Sequence, residues 1–137
     1  MYYLGLDIGS SSVKAALVEA KSGKSIQSVH EPKNEMSISS LKNDWAEQDP
    51  NVWWKYTCTA IKRVCKESNI DPKKIISIGI SYQMHGLVIV DKNGEPLRDS
   101  IIWCDSRAVN IGNDAYEKLG EDKCMSHLLN SPGNFTA

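Results

Sequence analysis

Three short stretches at the start of the chain alternate between apolar and polar positions, which predicts β-strands. In residues 2–8, Leu4 and Leu6 share one face, and the same period of two recurs in 13–19 and more weakly in 26–30. Glycine, serine and lysine turns separate these stretches, and connections this short join antiparallel neighbours. The sequence therefore predicts an antiparallel meander of three strands.

A helical repeat follows a polar, irregular stretch, 31–48, that we expect to lie on the surface. Asp49 can cap a helix and Pro50 suits its first position, so the two together predict a helix start. From Trp53 the apolar residues recur at helical spacing, and the helix should end near Asn69. The expected buried stripe comprises Trp53, Thr57, Ala60, Ile61 and Val64, widened by Trp54, Cys58 and Cys65.

The next stretch begins as a strand and ends in a polar loop. Residues 75–81 alternate, and then Gln83, Met84 and His85 place an amide, a thioether and an imidazole side by side before Gly86. Open α/β sheets bind ligands beyond the carboxyl ends of their strands, so this loop is a candidate binding site. Glutamine and histidine suit sugar hydroxyls. A satisfied loop histidine beside a methionine that fills the core explains the same residues.

Beyond this loop the pattern predicts shorter elements, and the overall order βββαβ is that of an α/β protein. The expected elements are a strand at 87–90, a short extended piece at 101–103, a helix capped by Asp105 or Ser106 and running to Leu119, and a last helical turn or two at 125–129.

A second candidate site is the turn between the first two strands. It combines a carboxylate, a glycine, three hydroxyls and a lysine, in the residues Asp7, Gly9, Ser10, Ser11, Ser12 and Lys14. Such a turn can wrap a phosphate with N–H and O–H donors, and Asp7 would then be placed to hold Mg²⁺. A plain hairpin turn built from ordinary glycine and serine residues explains the same pattern equally well.

Composition and charge narrow the function classes. The chain has 137 residues, of which 41% are hydrophobic and 24% charged, and this suits one ordinary globular domain. The formal charge of −1 gives no basic excess for binding a phosphate backbone, so nucleic acid is not an expected partner. No run of about 18 apolar residues could span a membrane, and Asp7 comes too early for a signal peptide.

The cysteines and histidines form no recognisable metal or nucleophile pattern. No two of the four cysteines have zinc or redox spacing, and Cys58 and Cys65 are too far apart on one helix to bridge. We expect reduced thiols in a cytoplasmic protein. The three histidines have no ligand spacing, and neither a Ser-His-Asp nor a Cys-His arrangement is legible.

Five stretches, in this order, resemble the FGGY family of carbohydrate kinases, and most closely its xylulose-phosphorylating members. They are Leu6–Lys14, which is similar to the family's first phosphate loop; Trp45–Pro50 with the tryptophans that follow; Ser81–Gly86, the sugar-site loop; Ile102–Arg107, a Trp-x-Asp-x-Arg strand end; and Ser131–Ala137. The Gln-Met-His-Gly loop is the most specific of the five, because related kinases for glycerol and other polyols carry different residues there.

The resemblance implies a fold, a reaction and roles for particular residues. The fold would be the ribonuclease H-like, actin-like ATPase fold, with residues 1–137 as a partial first domain. The reaction would be transfer of the ATP γ-phosphate to a hydroxyl of D-xylulose, with Mg²⁺. Sugar and ATP are then the expected partners. By this resemblance Asp7 would organise Mg²⁺, the turn Gly9, Ser10, Ser11, Ser12 with Lys14 would contact phosphates, Gln83, Met84 and His85 would touch the sugar, and Trp103, Asp105 and Arg107 would line or brace its pocket.

The resemblance also implies that part of the catalytic apparatus lies elsewhere. The family's catalytic base is an aspartate expected beyond Ala137, in longer proteins with a second domain, and no residue of 1–137 is assigned that role. Two alternatives remain open: a kinase for another sugar or polyol, or a non-catalytic half-domain that only folds, self-associates or binds a partner. A homodimer is possible in either case.

Overall fold

The computed structural model describes residues 1–129 and 131–134 and divides into two compact units. The first unit contains Met1–Ser37 and Pro50–Gln83, and the second contains Ile38–Asp49 and the residues from Met84 onward. Asn130 and the last three residues of the family-like stretch 131–137 lie outside the described residues.

The elements follow the predicted βββαβ order and then become shorter. They are β1 (Tyr2–Ile8), β2 (Val13–Glu19), β3 (Ser25–Glu31), β4 (Glu47–Gln48), α1 (Pro50–Glu67), β5 (Ile75–Tyr82), β6 (Ser100–Ile101), α2 (Val109–Leu119) and α3 (Glu121–Leu128), with short 3₁₀ helices at Pro72–Lys74 and Pro132–Asn134.

The first unit is a four-stranded sheet in the order β3-β2-β1-β5 with α1 packed on β2 and β3. The predicted meander is confirmed, because β1–β2 and β2–β3 pair antiparallel, whereas β5 pairs parallel to β1. Leu4 lies opposite Leu17 in the β1–β2 register, which places both side chains on one face. The core consists of Leu4, Leu6, Val13, Ala15, Leu17 and Val29 from the sheet and Ala60, Val64 and Cys65 from the helix.

Helix α1 begins at Pro50, as predicted, but its buried stripe is narrower than expected. Thr57, Ala60, Val64 and Cys65 are buried, whereas Trp54 is exposed. The expectation for Trp54 was wrong because α1 packs mainly on β2 and β3. Only a narrow face of the helix contacts these two strands, and Trp54 lies outside that face.

We expected residues 31–48 to lie on the surface, and this expectation is wrong for the last three of them. Ala46, Glu47 and Gln48 are buried, and β4 pairs antiparallel with β6 in a two-stranded sheet of the second unit. The strand predicted at 87–90 does not form, since Leu87 and Val90 make only isolated bridges, to Ile101 and Pro96. The extended piece expected at 101–103 is confined to Ser100–Ile101.

Helix α2 begins at Val109 rather than directly after Asp105 or Ser106. The carboxylate of Asp105 accepts hydrogen bonds from the Ala46 and Arg107 backbone N–H groups, so it is not available as a helix cap. Gly120 ends α2 with a φ of 84°, as its position predicts, and α3 extends the expected last turns.

Two general expectations can be compared with the described part of the chain. All four cysteines are free, in agreement with the sequence. Within residues 1–129 and 131–134, no helix has the length and apolar character needed to cross a membrane.

We predict that Leu17→Ala lowers the free energy of unfolding by about 2–5 kcal/mol, because Leu17 is fully buried at the centre of the sheet core. Urea denaturation followed by circular dichroism measures the change. Leu41→Ala is the matched control, since Leu41 is 79% exposed and its truncation should cost less than about 0.5 kcal/mol. Equal losses in the two variants would contradict this description of the core.

Candidate active site

The parallel pairing of β1 and β5 brings two of the predicted motifs to one edge of the sheet. Both strands end there, and Asp7 lies opposite Ser81 in the register. The Gln83 N–H donates to the Ile8 carbonyl over 2.9 Å, which extends the pairing by one step. The serine turn after β1 and the Gln-Met-His loop after β5 therefore start side by side, at the carboxyl ends where α/β sheets bind ligands.

The turn between β1 and β2 is tight. The Gly9 N–H donates to the Ser12 carbonyl over 3.1 Å, and a Cβ on Gly9 would lie 3.2 Å from that same oxygen. The Ser11 carbonyl accepts from the Met36 N–H over 2.8 Å, which ties the turn to a buried residue of the same unit. The Ser11 side chain remains exposed, so this turn presents at least one hydroxyl to solvent.

Asp7 and Lys14 face each other across β1 and β2. The Lys14 Nζ lies 3.3 Å from the Asp7 Oδ2, and the two side chains are 64% and 50% exposed. An ion pair this open is worth little, so both charges remain accessible to a ligand. The described residues contain no group of three or more acidic, histidine or cysteine side chains that could hold a metal. A single carboxylate fits Mg²⁺ bound largely through phosphate and water, but not an all-protein metal cage.

The amide of Gln83 is buried without a partner. Neither its Nε2 nor its Oε1 makes a hydrogen bond within the described residues. Leaving such a group unpaired costs about 1–3 kcal/mol, so buried amides normally have a partner. This side chain is therefore a candidate for binding a polar ligand group at the end of β5.

Met84 and His85 continue the loop as the first residues of the second unit. Met84 is 63% exposed, and His85 is exposed with a φ of 63°, in the left-handed region that non-glycine residues rarely adopt. The far end of the loop is fixed by two backbone hydrogen bonds between Leu87 and Ile101, of 2.8 and 3.2 Å. The strained backbone at His85 is the kind of feature that concentrates at binding sites.

The three residues of the Trp-x-Asp-x-Arg stretch have different environments. Trp103 is exposed and follows Ile102, which is fully buried. The Asp105 side chain is fully buried, and both its oxygens accept from the Arg107 Nε at 2.9 Å. Trp103 can thus contact a ligand, whereas Asp105 and Arg107 are occupied with each other.

Glu47 is a residue of this network that the sequence analysis does not single out. Its carboxylate is buried and accepts from the Arg107 Nη2 over 2.6 Å, and it also pairs with Arg98. The ring of Trp45 lies 3.7 Å from the Arg107 guanidinium carbon, so the arginine is also stacked. No local signal marks Glu47, because its partners are 51 and 60 positions away.

The network shifts the pKa values of its members. Burial acts to raise the pKa of Asp105, but hydrogen bonds from Arg107 and from the Ala46 N–H outweigh it and hold that pKa below its usual range. The hydrogen bond to Asp105 in turn raises the pKa of Arg107. Both groups therefore remain charged at neutral pH and act as a fixed ion pair.

Comparison with known proteins gives a consistent family. The N-terminal domain of the FGGY family of carbohydrate kinases matches residues 2–133. A xylulose kinase of Staphylococcus epidermidis is 40% identical over 104 residues, which are 76% of this chain and 20% of that protein. A solved structure described as a xyloylose kinase from Brucella ovis has a TM-score of 0.85 and 30% identity, covering 96% of this chain and 26% of the other. A gluconate kinase from Lactobacillus acidophilus has a TM-score of 0.78 and 29% identity, covering 91% and 24%.

The chain belongs to the FGGY family of carbohydrate kinases. Its sheet and helices are a part of the actin-like ATPase fold of these sugar kinases, as the sequence resemblance implied. The chain spans about a fifth to a quarter of the length of the relatives it matches.

We predict that Asp105→Asn destabilises the second unit by about 3–5 kcal/mol at neutral pH, because it leaves the half-buried Arg107 without its main, fully buried partner. The folded-state pKa of Asp105 lies below that of the unfolded chain, so its contribution is full above about pH 5 and is lost as pH falls below about 4. Urea denaturation of the wild-type chain and of Asp105→Asn, at pH values from about 3 to 7, measures the difference in free energy of unfolding.

The exposed Asp99 provides the control, because Asp99→Asn makes the same chemical change and keeps the backbone carbonyl that accepts from Arg98. Its effect on the free energy of unfolding should stay within about 0.5 kcal/mol at every pH. A wild-type advantage over Asp105→Asn that does not change with pH would contradict the charged pair.

Proposed function

We propose that this chain is the N-terminal part of a kinase that transfers the γ-phosphate of ATP to a hydroxyl of D-xylulose. The observation that carries the proposal is the hydrogen bond from the Gln83 N–H to the Ile8 carbonyl. Because of it, the serine turn after β1 and the Gln-Met-His loop after β5 begin at the same edge of the sheet. Phosphoryl transfer needs its two substrates held close together, and such an edge provides that proximity.

The nucleotide side of the reaction is assigned to the turn after β1. Asp7 would hold Mg²⁺, which would supply positive charge to offset that of the phosphates. Lys14 lies 3.3 Å from Asp7 and would place a positive charge beside the same phosphates. The hydroxyl and backbone N–H groups of Ser10, Ser11 and Ser12, with the tight turn at Gly9, would complete the phosphate contacts.

The sugar side is assigned to the loop after β5. The amide of Gln83, which is buried and has no hydrogen-bond partner within the described residues, offers an NH₂ donor group and a carbonyl acceptor for sugar hydroxyls. His85 and Met84 follow with an exposed imidazole and thioether, and Trp103 offers an exposed flat wall. Polar groups that fix orientation beside apolar surface are the usual composition of a small-molecule site.

Asp105 and Arg107 are assigned a bracing role rather than direct contact with the sugar. Their charges are satisfied by each other and by Glu47, and their side chains are at most 16% exposed. They fix the backbone on either side of Trp103, since Ile102 N–H donates to the Ala46 carbonyl and Ala46 N–H donates to Asp105. Locking a ligand-contacting side chain through its supporting residues is what accurate binding requires.

Two alternatives have specific support. The gluconate kinase of Lactobacillus acidophilus has a similar fold and is 29% identical, so another sugar or polyol is a competing substrate, and a substrate panel on a family-length protein separates the candidates. A non-catalytic role of the chain is favoured by the apolar face of β5, which no described element covers.

We place the protein in the cytoplasm because its four cysteines are free.

We expect the 137-residue chain by itself to give no xylulose- and ATP-dependent release of ADP, because no aspartate within it matches the family's catalytic base. A coupled ADP assay with Mg²⁺ measures this, and a family-length xylulose kinase serves as the positive control. Turnover by the chain alone that is lost in Asp7→Asn would show that residues 1–137 form a complete active site.

In a family-length protein that contains this segment, we expect His85→Ala to weaken sugar binding at least about tenfold and ATP binding less than about twofold. His85→Asn should do the same, because asparagine tolerates the positive φ and so separates loss of the imidazole from backbone strain. Calorimetry with each ligand measures both constants. His127→Ala, on the exposed face of α3, is the control, and equal losses for sugar and ATP would contradict the assignment.

A further inference from the structure

We propose that Glu47 is a positioning residue of the sugar site, a role that rests on the sugar side of the function proposed above. Its buried carboxylate binds both ends of the segment 98–107, which carries Trp103 and the strand β6. β6 in turn holds the far end of the Gln-Met-His-Gly loop. One carboxylate therefore sets where two elements of the sugar site lie, without touching the sugar itself.

The carboxylate of Glu47 joins two arginines that stand on either side of Trp103. Its Oε1 accepts from the Arg107 Nη2 over 2.6 Å and also from the Arg98 Nη2. Trp103 lies between them in the sequence, five positions after Arg98 and four before Arg107. A single buried oxygen thus fixes, at both ends, the segment that presents a 56% exposed indole ring.

The main chain of Glu47 belongs to the same layer as the end of the loop. It exchanges two hydrogen bonds with Ser39, of 2.8 and 2.9 Å, and it lies opposite Ile101 in the β4–β6 register. Ile101 exchanges two further hydrogen bonds with Leu87, the residue that follows the loop. The Leu87 carbonyl also accepts from the buried Ser100 hydroxyl over 3.0 Å. A shift of β6 relative to Glu47 therefore moves the end of the loop.

The charges of the network make Glu47 the member that both arginines need. Glu47 and Asp105 supply two negative charges, and Arg98 and Arg107 supply two positive ones. Without the charge of Glu47, two guanidinium groups that converge on one point would repel each other. Arg107 would keep Asp105, whereas Arg98, whose side chain is 43% exposed, would turn towards solvent. The start of the segment that carries Trp103 would then be released.

A charged network differs from apolar packing in what it fixes. Well-packed apolar side chains could stabilise these segments equally well, because desolvation offsets much of the attraction between buried charges. The difference is geometric, since the shared oxygen of Glu47 satisfies both arginines only when the two ends of the segment keep their places. Accurate placement of ligand-contacting groups depends on supporting contacts of this kind.

In a family-length protein that contains this segment, we expect Glu47→Gln to raise the KM for D-xylulose at least about tenfold, with kcat changed less than about threefold and the KM for ATP less than about twofold. Glutamine keeps the size and a carbonyl acceptor and removes only the charge. Steady-state kinetics measures all three constants. Arg98→Ala should act in the same direction, because it removes one of the two contacts. Glu95→Gln, at an exposed position of the same unit, is the matched control and should change none of them.

A double-mutant cycle with Trp103→Ala separates positioning from a general loss of stability. If Glu47 acts through Trp103, Glu47→Gln should raise the KM for the sugar at least about threefold less in the Trp103→Ala background than in the wild type. An equal increase in the two backgrounds would overturn the proposal, and so would equal increases in the KM values for sugar and ATP. A wild-type protein that phosphorylates another sugar would contradict only the assignment of xylulose, and the same cycle is then measured with that sugar.

Hydrogen exchange in the 137-residue chain tests the main-chain part without any sugar. Glu47→Gln should speed exchange of the Leu87 and Ile101 N–H groups at least about tenfold, and that of α2 and β1 less than about twofold. Unchanged exchange at Leu87 and Ile101, or an equal increase throughout α2, would overturn the proposal. A family-length protein that phosphorylates no sugar would contradict the proposed function, and the exchange result would still decide whether Glu47 holds the end of the loop.

Discussion

The central strand β1 has an antiparallel neighbour on one side and a parallel neighbour on the other, and the candidate site depends on this difference. The antiparallel turn to β2 returns the chain at once, which places Lys14 opposite Asp7. The parallel pairing with β5 brings a distant segment to the same edge with the same chain direction. A hairpin in place of the parallel strand would put the Gln-Met-His loop at the opposite end of the sheet, away from the serine turn.

The second unit is organised by charge instead of by a continuous sheet. Burying Glu47 and Asp105, and partly burying Arg107, carries a desolvation cost that is offset only because each carboxylate receives more than one donor and the arginine stacks on Trp45. Such an arrangement tolerates few alternative geometries, since moving one member leaves another charge buried and unpaired. The network holds together the two segments of the second unit, which share only two residue pairs of regular strand in the described part of the chain.

The sequence predicts what is local and misses what depends on distant partners. Strands β1, β2 and β5 follow from alternation within seven or eight residues, and α1 follows from its start signal at Pro50. The burial of Glu47 does not, because it requires pairing with residues that lie 51 and 60 positions away. The strand expected at 87–90 fails for a related reason: alternation shows that a segment suits a strand, but a strand forms only where a partner supplies its ladder.

For the same reason the sequence does not predict that β5 is exposed, and this exposure bears on the candidate site. Periodicity showed that Ile78 and Ile80 share a face, but not which element covers that face. Because the ladder with β1 is the only one that holds β5 in the described residues, it alone positions the start of the Gln83 loop. Any element that pairs with the free edge of β5 restricts the motion of that strand end. Completion of the sheet and order in the ligand-binding loop are thus two consequences of the same pairing.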